Sequence, residues 1–253
     1  MTSAHHPPLH ARTAAIIVIG NEVLSGKVED INSRYLLKEL YQLGVRVQRV
    51  ITIPDELETI AEEVRKASAQ WDYVFTSGGV GPTHDDVTFP GVARAFGVPL
   101  VEHPDLLKLV QSHFKHDIND AARRLSRIPE GTELLYEGNL IYPLSRIHNV
   151  YVFPGVPEML RTRFEAVKER FREAPYFLIR IFTQQGESVL AAHLEDTLIR
   201  FSGLEIGSYP RFDCEEYRVE LTMESKDPAL LARARDHLLS CMDDVQVVRI
   251  IDL

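Results

Sequence analysis

The chain alternates between short apolar runs and longer stretches in which apolar residues recur every three or four positions. The run Thr13–Gly20 is apolar, rich in β-branched residues and closed by glycine, so it predicts a buried strand. The next stretch ends at Gly44 and has the spacing of a helix, with apolar residues at Leu36, Leu37, Leu40 and Leu43. Strand and helix patterns continue in turn to residue 174. This alternation predicts a mostly parallel sheet covered by helices on both faces, a three-layer α/β/α fold.

The pattern changes after Pro175, where the elements read strand, helix, strand, strand, helix, strand. This order is typical of a ferredoxin-like α+β unit. We therefore predict a first domain over residues 13–174 and a small α+β domain over residues 175–253. Residues 1–12 contain two prolines and three histidines but no apolar stretch, which predicts a disordered tail.

The amino-acid composition limits which classes of binding partner are expected for the chain. The chain has 253 residues, 45% of them apolar, and a formal net charge of −9, so it lacks the basic character typical of nucleic-acid binding. Its longest apolar run, Ala14–Ile19, is far shorter than the roughly 20 residues of a membrane span. The two cysteines, Cys214 and Cys241, form no CxxC motif and are expected to pack as small apolar groups. We expect a cytoplasmic protein that binds neither nucleic acid nor membrane.

Glycine, proline and acidic residues follow four of the predicted strands. In an open parallel sheet, ligands bind at the carboxyl ends of the strands. The segments at these ends are GNEVLSGKVEDIN, IPDE, GGVGPTHDDVT and FPGVPEM. The convergence of these segments is the main functional signal in the sequence, and it predicts a binding site at this edge.

The segment after the third strand contains three glycines within four positions, Gly78, Gly79 and Gly81. Glycine permits sharp turns and leaves backbone N–H groups accessible, and such groups near a helix start bind phosphate well. A plain tight turn is the alternative interpretation. The segment is not a P-loop, because the GK[ST] ending is missing, and it does not follow the first strand as a dinucleotide fingerprint would.

Acidic residues beside this segment point to a cation. Asp85 and Asp86 would repel a bound phosphate unless a divalent metal bridged the two. The alternative is that one of them caps the helix that starts near Val87. Asp30 and Asp55 also precede predicted helices and could be caps; with Glu22, they could instead supply metal ligands or a base. For His84, contact with a phosphate or sugar, proton transfer and a position at the rim all stay open.

At GGVGPTHDDVT the sequence resembles the molybdopterin-binding fold shared by molybdopterin adenylyltransferases, the CinA family and eukaryotic FAD synthases. GNEVLSG, DIN, PDE and NVYVFPGVPEMLR support the resemblance, and IGSYP extends it into the second domain. It covers about residues 13–253 and is closest to the FAD synthases. The resemblance implies a three-layer α/β/α fold, a nucleotide or pterin as small-molecule ligand, and assembly into a dimer or trimer.

The resemblance also implies an activity. CinA-type domains are associated with metal-dependent cleavage of ADP-ribose-like diphosphates, and the related domain of FAD synthase with hydrolysis of FAD to FMN and AMP. The first hypothesis is therefore a nucleotide pyrophosphatase that uses Mg²⁺, Mn²⁺ or Co²⁺. A transferase that adenylylates molybdopterin and a nucleotide-binding module without turnover are the alternatives.

These hypotheses assign roles to particular residues. The candidate catalytic residues are Asp55, Asp85 and Asp86; Asp55 and Asp86 match the positions of important acids in the adenylyltransferases. The candidate metal ligands are Glu22, Asp30, Asp85 and Asp86. The candidate phosphate- and nucleotide-binding residues are Gly20, Asn21, Asn32, Gly78, Gly79, Val80, Gly81, Pro82, Thr83, His84, Thr88, Pro154 and Gly155.

Overall fold

The computed structural model describes residues 11–114, 118–242 and 247–253. These residues form two compact units, Arg12–Glu173 and a second unit that contains Ala174–Leu253. Most of the predicted tail, up to residue 10, lies outside the described residues. Arg12 does not belong to a tail: its guanidinium pairs with Glu173 (3.1 Å) and donates to the Tyr73 hydroxyl.

The first unit contains a mixed sheet and the helices around it. Its strands are β1 (Thr13–Ile19), β2 (Arg46–Ile53), β3 (Tyr73–Ser77), β4 (Leu100–Glu102), β5 (Arg127–Pro129), β6 (Glu133–Leu135), β7 (Leu144–Ile147) and β8 (Val150–Phe153). Its α-helices are α1 (Asn21–Leu24), α2 (Asn32–Gln42), α3 (Leu57–Gln70), α4 (Thr88–Phe96), α5 (Pro104–Phe114), α6 (Asp120–Arg124) and α7 (Pro157–Val167). Two short 3₁₀ helices cover Glu137–Asn139 and Lys168–Phe171.

The main sheet has the strand order β2-β1-β3-β8-β7-β6. Strands β2, β1, β3 and β8 are parallel, whereas β7 runs antiparallel to both of its neighbours. The expected mostly parallel sheet is thus confirmed. Strand β7 was not predicted, because its four residues between Pro143 and His148 are too few to show a period. Strands β4 and β5 form a separate antiparallel ribbon.

Side chains alternate between two cores, one on each face of the sheet. On β1, Ala14, Ile16 and Val18 pack with α2 and α7 on one face. The intervening residues Ala15, Ile17 and Ile19 pack with α3 and α4 on the other. Successive strand residues point to opposite faces, so a strand covered on both sides is apolar throughout. This arrangement is the expected three-layer α/β/α architecture.

The second unit has the predicted β-α-β-β-α-β order. Its elements are β9 (Phe177–Thr183), α8 (Glu187–Arg200), β10 (Glu205–Pro210), β11 (Val219–Ser225), α9 (Pro228–Cys241) and β12 (Val247–Asp252). The sheet order is β10-β11-β9-β12, and all its pairs are antiparallel. Asp227 caps α9 by accepting from the backbone N–H groups of Ala229 and Leu230 (2.9 and 3.1 Å), as its position before Pro228 predicts. Across the described ranges, none of the helices combines the length and apolar character needed to cross a membrane.

Candidate functional site

The loops that follow β1, β2, β3 and β8 are joined to one another by hydrogen bonds. The backbone N–H of Asn21, after β1, donates to Asp55 Oδ2, after β2 (2.7 Å). The amide of Asn32 donates to Ser77 Oγ (2.9 Å) and to the carbonyl of Gly155 (2.7 Å), so it connects the ends of β3 and β8. The four predicted segments therefore do converge at the carboxyl edge of the sheet.

The turn after β3 depends on glycine. Gly78 has a φ of +111° and Gly79 a φ of +62°, both in the region that side chains rarely adopt. A Cβ atom on Gly78 would lie 2.0 Å from the Ile19 carbonyl oxygen, and one on Gly155 would lie 3.3 Å from the Gly78 Cα. The absence of side chains lets the chain turn where three strands end, which holds the loop backbone close to the sheet edge.

Thr88 fixes this turn to the start of α4. Its buried hydroxyl donates to the Gly78 carbonyl (2.8 Å), and its backbone N–H donates to the Gly79 carbonyl (3.0 Å). A fully buried hydroxyl that is committed to the backbone is not available to a phosphate. We therefore assign Thr88 a positioning role, in place of the phosphate contact that the sequence suggested. Asn32, also buried, is likewise a positioning residue.

Asp85 and Asp86 converge on Thr83. The Thr83 backbone N–H donates to Asp86 Oδ2 (2.8 Å), and its hydroxyl lies within hydrogen-bonding distance of both carboxylates, 2.6 Å from Asp85 Oδ1. The N-cap of α4 is Val87, without a side-chain hydrogen bond, so the interpretation of these acids as helix caps is wrong. The hydrogen bond from Thr83 holds the pKa of the Asp85 carboxyl below its usual value.

Asp55 lies close enough to three other acids of the site to interact with their charges. Partial burial raises its pKa, and the charges of Glu22, Asp85 and Asp86 raise it further, while the hydrogen bond from Asn21 opposes them. We call these four residues the acidic cluster. Asp55 does not cap α3, whose N-cap is Glu56 without a side-chain bond. Glu22 folds back so that its carboxylate lies 2.7 Å from the position of a Cβ on Gly20.

The acids of the cluster influence one another electrostatically, but in the ranges that the structure describes no three of them bring carboxylate oxygens within 4.8 Å of one another. Among the described residues, Glu22, Asp55 and Asp86 have no lysine or arginine within ion-pair distance, and Asp85 is approached only by His84 at 3.8 Å. Carboxylate oxygens are the ligands that Mg²⁺ and Mn²⁺ prefer, and a cation would relieve the repulsion that raises the Asp55 pKa. Asp30 is different. Its carboxylate accepts from the backbone of Asn32 (3.1 Å) and from the backbone and hydroxyl of Ser33, so it holds the start of α2 and is removed from the candidate ligands.

A cavity of about 1010 Å³ opens beside the glycine turn. Predicted residues that line it are Glu22, Gly78, Gly79, Val80, Gly81, Pro82, Asp86, Pro154 and Gly155. Much of the remaining wall is apolar: Phe89, Leu106, Leu109, Leu125, Ile141, Val156 and Met159. His84 does not line the cavity, and its side chain is 95% exposed, which agrees with a position at the rim.

The sequence reasoning missed several polar residues of the cavity wall, among them Arg163 on α7 and Tyr142 before β7; the others are Ser112, His113 and Ser145. Burial lowers the pKa of the Arg163 guanidinium and raises that of the Tyr142 hydroxyl. Within the described ranges no carboxylate pairs with Arg163. The available signal was its spacing, since Arg163 stands beside Leu160, Phe164 and Val167 on the buried side of α7. The cavity wall thus contains the carboxylates of Glu22 and Asp86 as well as the guanidinium of Arg163.

Comparisons with known proteins agree with this architecture. Residues 15–173 match the family described as "Probable molybdopterin binding domain", and residues 175–250 match "FAD synthase, middle domain". A protein of Archaeoglobus fulgidus is 39% identical over 196 residues, which cover 78% of this chain and 85% of that protein. A probable FAD synthase of Caenorhabditis briggsae is 32% identical over 257 residues, covering 90% of this chain but 49% of its own length.

A solved structure extends the comparison to the fold. The protein CinA from Thermoplasma acidophilum is 27% identical and superposes with a TM-score of 0.59, covering 64% of this chain and 98% of its own. The present chain spans about half the length of the FAD synthases that it matches. The match over residues 15–173 therefore shows that this chain belongs to the molybdopterin-binding-domain family, and its relatives include CinA-like proteins and FAD synthases.

Proposed function

We propose that the protein is a metal-dependent nucleotide pyrophosphatase that cleaves a dinucleotide-like diphosphate, with FAD and ADP-ribose as the leading substrates. The observation that carries the proposal is the acidic cluster, which has no lysine or arginine partner in the described part of the chain and contributes Glu22 and Asp86 to the wall of the cavity. The FAD synthases among its relatives support a flavin nucleotide. The cavity, with its apolar wall, has room for one half of such a molecule.

Different residues bind the diphosphate, hold the cation and accept the proton in the proposed hydrolysis. Backbone N–H groups of Gly79, Val80 and Gly81 bind the diphosphate oxygens, because those of Gly78 and Thr83 already donate to the Phe153 carbonyl and to Asp86. Glu22, Asp85 and Asp86, drawn closer together than they lie here, would hold a divalent cation, which would neutralise charge on the diphosphate and lower the pKa of the attacking water. Asp55 takes the proton of that water, and its partial burial, which raises its pKa whether or not a cation is bound, favours this role. The water oxygen bonds to one phosphorus as the bridging P–O bond breaks, which gives AMP and FMN from FAD.

Chromatography of the products tests the proposal. The purified chain is incubated with FAD or ADP-ribose in Mg²⁺, Mn²⁺ or Co²⁺, with a chelator control. AMP that forms only with metal is the expected result. Asp86→Asn should lower turnover by about 100-fold or more, whereas Asp105→Asn, an exposed acid paired with Lys108, should leave it unchanged. Turnover that survives Asp86→Asn would show that the site has been wrongly assigned.

Adenylyl transfer to molybdopterin is the second candidate, and the apolar wall of the cavity favours it. Phe89 and Met159 offer flat, polarisable surface to a planar ring. In that case a pterin phosphate replaces water as the nucleophile. Pterin that copurifies with the protein, together with AMP transfer from ATP, would support this reaction. Nucleotide binding without any product would instead indicate a module that does not turn over.

A further inference from the structure

We propose that Asp196, His237 and Cys241, all in the second unit, form a zinc site that connects α8 to α9. This site is separate from the acidic cluster, which belongs to the first unit. It uses a nitrogen, an oxygen and a sulfur ligand, a set that suits Zn²⁺ and not Mg²⁺.

The two helices bring the three ligand atoms together. His237 and Cys241 are four residues apart on α9, so their side chains lie on the same face one turn apart. Asp196 approaches from α8. His237 Nε2 lies 2.8 Å from Asp196 Oδ2 and 3.7 Å from Cys241 Sγ, and the ligand atoms of all three residues lie within 4.8 Å of one another.

The contacts distinguish a metal site from a catalytic triad. In a Cys–His–Asp triad the carboxylate and the thiol contact different ring nitrogens. Here both partners approach Nε2. One ring nitrogen carries at most one proton, so it can bond to both partners only by sharing that proton in a weaker, three-centre hydrogen bond. A single cation placed among the three atoms satisfies all of them.

The distances need only a small adjustment. With Zn–N and Zn–O bonds of about 2.1 Å and a Zn–S bond of about 2.3 Å, tetrahedral ligand atoms are about 3.4–3.6 Å apart. The Nε2–Sγ distance of 3.7 Å already fits, and the carboxylate must withdraw from its 2.8 Å contact by roughly half an ångström. Three protein ligands leave the fourth position to water.

The charges also balance. Zinc binds the thiolate of Cys241, so the thiol proton is released. It also takes the Nε2 lone pair of a neutral His237, so the proton that Nε2 shares with Asp196 moves to Nδ1. One thiolate, one carboxylate and Zn²⁺ then sum to zero. Arg200 also contacts Asp196, with its Nε 2.9 and 3.0 Å from the two oxygens. It can keep Oδ1 while Oδ2 binds the metal, and this exposed pair is a weak competitor.

Cobalt absorption is the first test, since a thiolate bound to Co²⁺ gives a charge-transfer band that carboxylates do not. The full chain is titrated with Co²⁺ beside Cys241→Ser and the matched control Cys214→Ser. We expect the band in the wild type and in Cys214→Ser, its loss in Cys241→Ser, and its displacement by Zn²⁺. Absence of the band in the wild type, or its survival in Cys241→Ser, would overturn the proposal.

A second measurement covers the carboxylate and the imidazole. Zn²⁺ should raise the melting temperature of the wild type, and Asp196→Asn and His237→Ala should abolish most of that rise. Mg²⁺ should give no rise that depends on these residues. An equal Zn²⁺ effect in the wild type and in His237→Ala would refute the site. FAD and ADP-ribose turnover in Cys241→Ser, measured in parallel, reports on the acidic cluster alone, so the two proposals can fail separately.

Discussion

At the residue scale, three acids that precede helices have different hydrogen-bond partners. Asp30, Asp55 and Asp86 all stand shortly before a helix, and each fits both a cap and a ligand. The Asp30 carboxylate accepts a hydrogen bond from Ser33, at the start of the helix that follows it. The Asp55 carboxylate instead accepts one from Asn21, which lies in the loop after another strand. Asp86 accepts from Thr83, three residues back. Whether such an acid holds its own helix or bonds to another loop depends on which loop packs beside it. That is tertiary information, and the local sequence does not contain it.

Replacing Asp55 should stabilise the protein in the absence of metal. Its raised carboxyl pKa gives a stabilising contribution that is complete below the unfolded pKa of about 4 and is lost as the pH rises through the folded value. At pH 7 the charged Asp55 carboxylate therefore destabilises the folded state. Asp55→Asn keeps an oxygen for the Asn21 N–H and should raise the melting temperature in chelator by about 1–4 °C.

Thermal scans at pH 7 and pH 4 check this expectation, because the gain should shrink at the lower pH as Asp55 becomes protonated. Asp105→Asn serves as the control for a generic loss of negative charge. The same Asp55 variant should lose most of its turnover. A lower melting temperature for Asp55→Asn at pH 7 would contradict the electrostatic account of the acidic cluster.

Arg163 should bind an anionic or carbonyl group of the substrate. Hydrogen bonds to a charged group contribute about 1.5–3 kcal/mol, so Arg163→Met should weaken FAD or ADP-ribose binding by about 10- to 100-fold. Calorimetric titration measures the dissociation constant. Arg161→Met is the matched control, because Arg161 is an exposed residue of the same helix that lies over the Tyr35 ring, outside the cavity wall. Equal affinities for Arg163→Met and wild type would remove Arg163 from the site.

At the element scale, the strand-to-helix turn after β3 was predictable and the opposite cavity wall was not. Three glycines within four residues indicate a tight turn on local evidence alone. The wall contributed by α5, α7 and the segment before β7 brings together residues from about 106 to 163. Nothing in the period of a single helix shows which neighbour covers its apolar stripe. The apolar character of the cavity, and with it Arg163 and Tyr142, therefore emerged only from the packing.

Glycine at position 78 is required for a steric reason that a matched variant isolates. Gly131 also has a positive φ, +83°, but an added Cβ would meet nothing within 4 Å, so Gly131→Ala should cost about 1–2 kcal/mol of backbone strain. Gly78→Ala adds a clash with the Ile19 carbonyl to the same strain. It should cost clearly more in urea denaturation and abolish turnover. Similar costs for the two variants would contradict the described turn.

At the scale of the whole molecule, the two units have separate cores. The cores of the first unit contain no residue beyond 171, and the core of the second begins at Ile179. The division at residues 173 and 174 lies one residue from the boundary predicted from the change of pattern. That boundary could be read from sequence because the order of elements changes there, even though no glycine- or serine-rich linker marks it.

Separate cores predict two unfolding transitions. Phe164 and Leu238 are fully buried, one in each unit. Phe164→Ala should cost about 3–5 kcal/mol and Leu238→Ala about 2–5 kcal/mol. In differential scanning calorimetry each variant should lower one transition and leave the other in place. A single transition that both variants shift equally would show that the units unfold together.

The close approach of Gly78 to Ile19 has a consequence for how the sheet assembles. Strand β1 is apolar on both faces, so a slip of β3 by one residue along it would still bury apolar side chains on each side. Burial therefore discriminates poorly between alignments. In the native alignment a Cβ at position 78 would lie 2.0 Å from the Ile19 carbonyl oxygen, and a slip in one direction would bring Ser77, which has a Cβ, toward that place. We therefore expect the turn proposed to bind phosphate to help align β3 with β1 during folding. A substitution in this turn should then produce chains with mispaired strands as well as inactive ones.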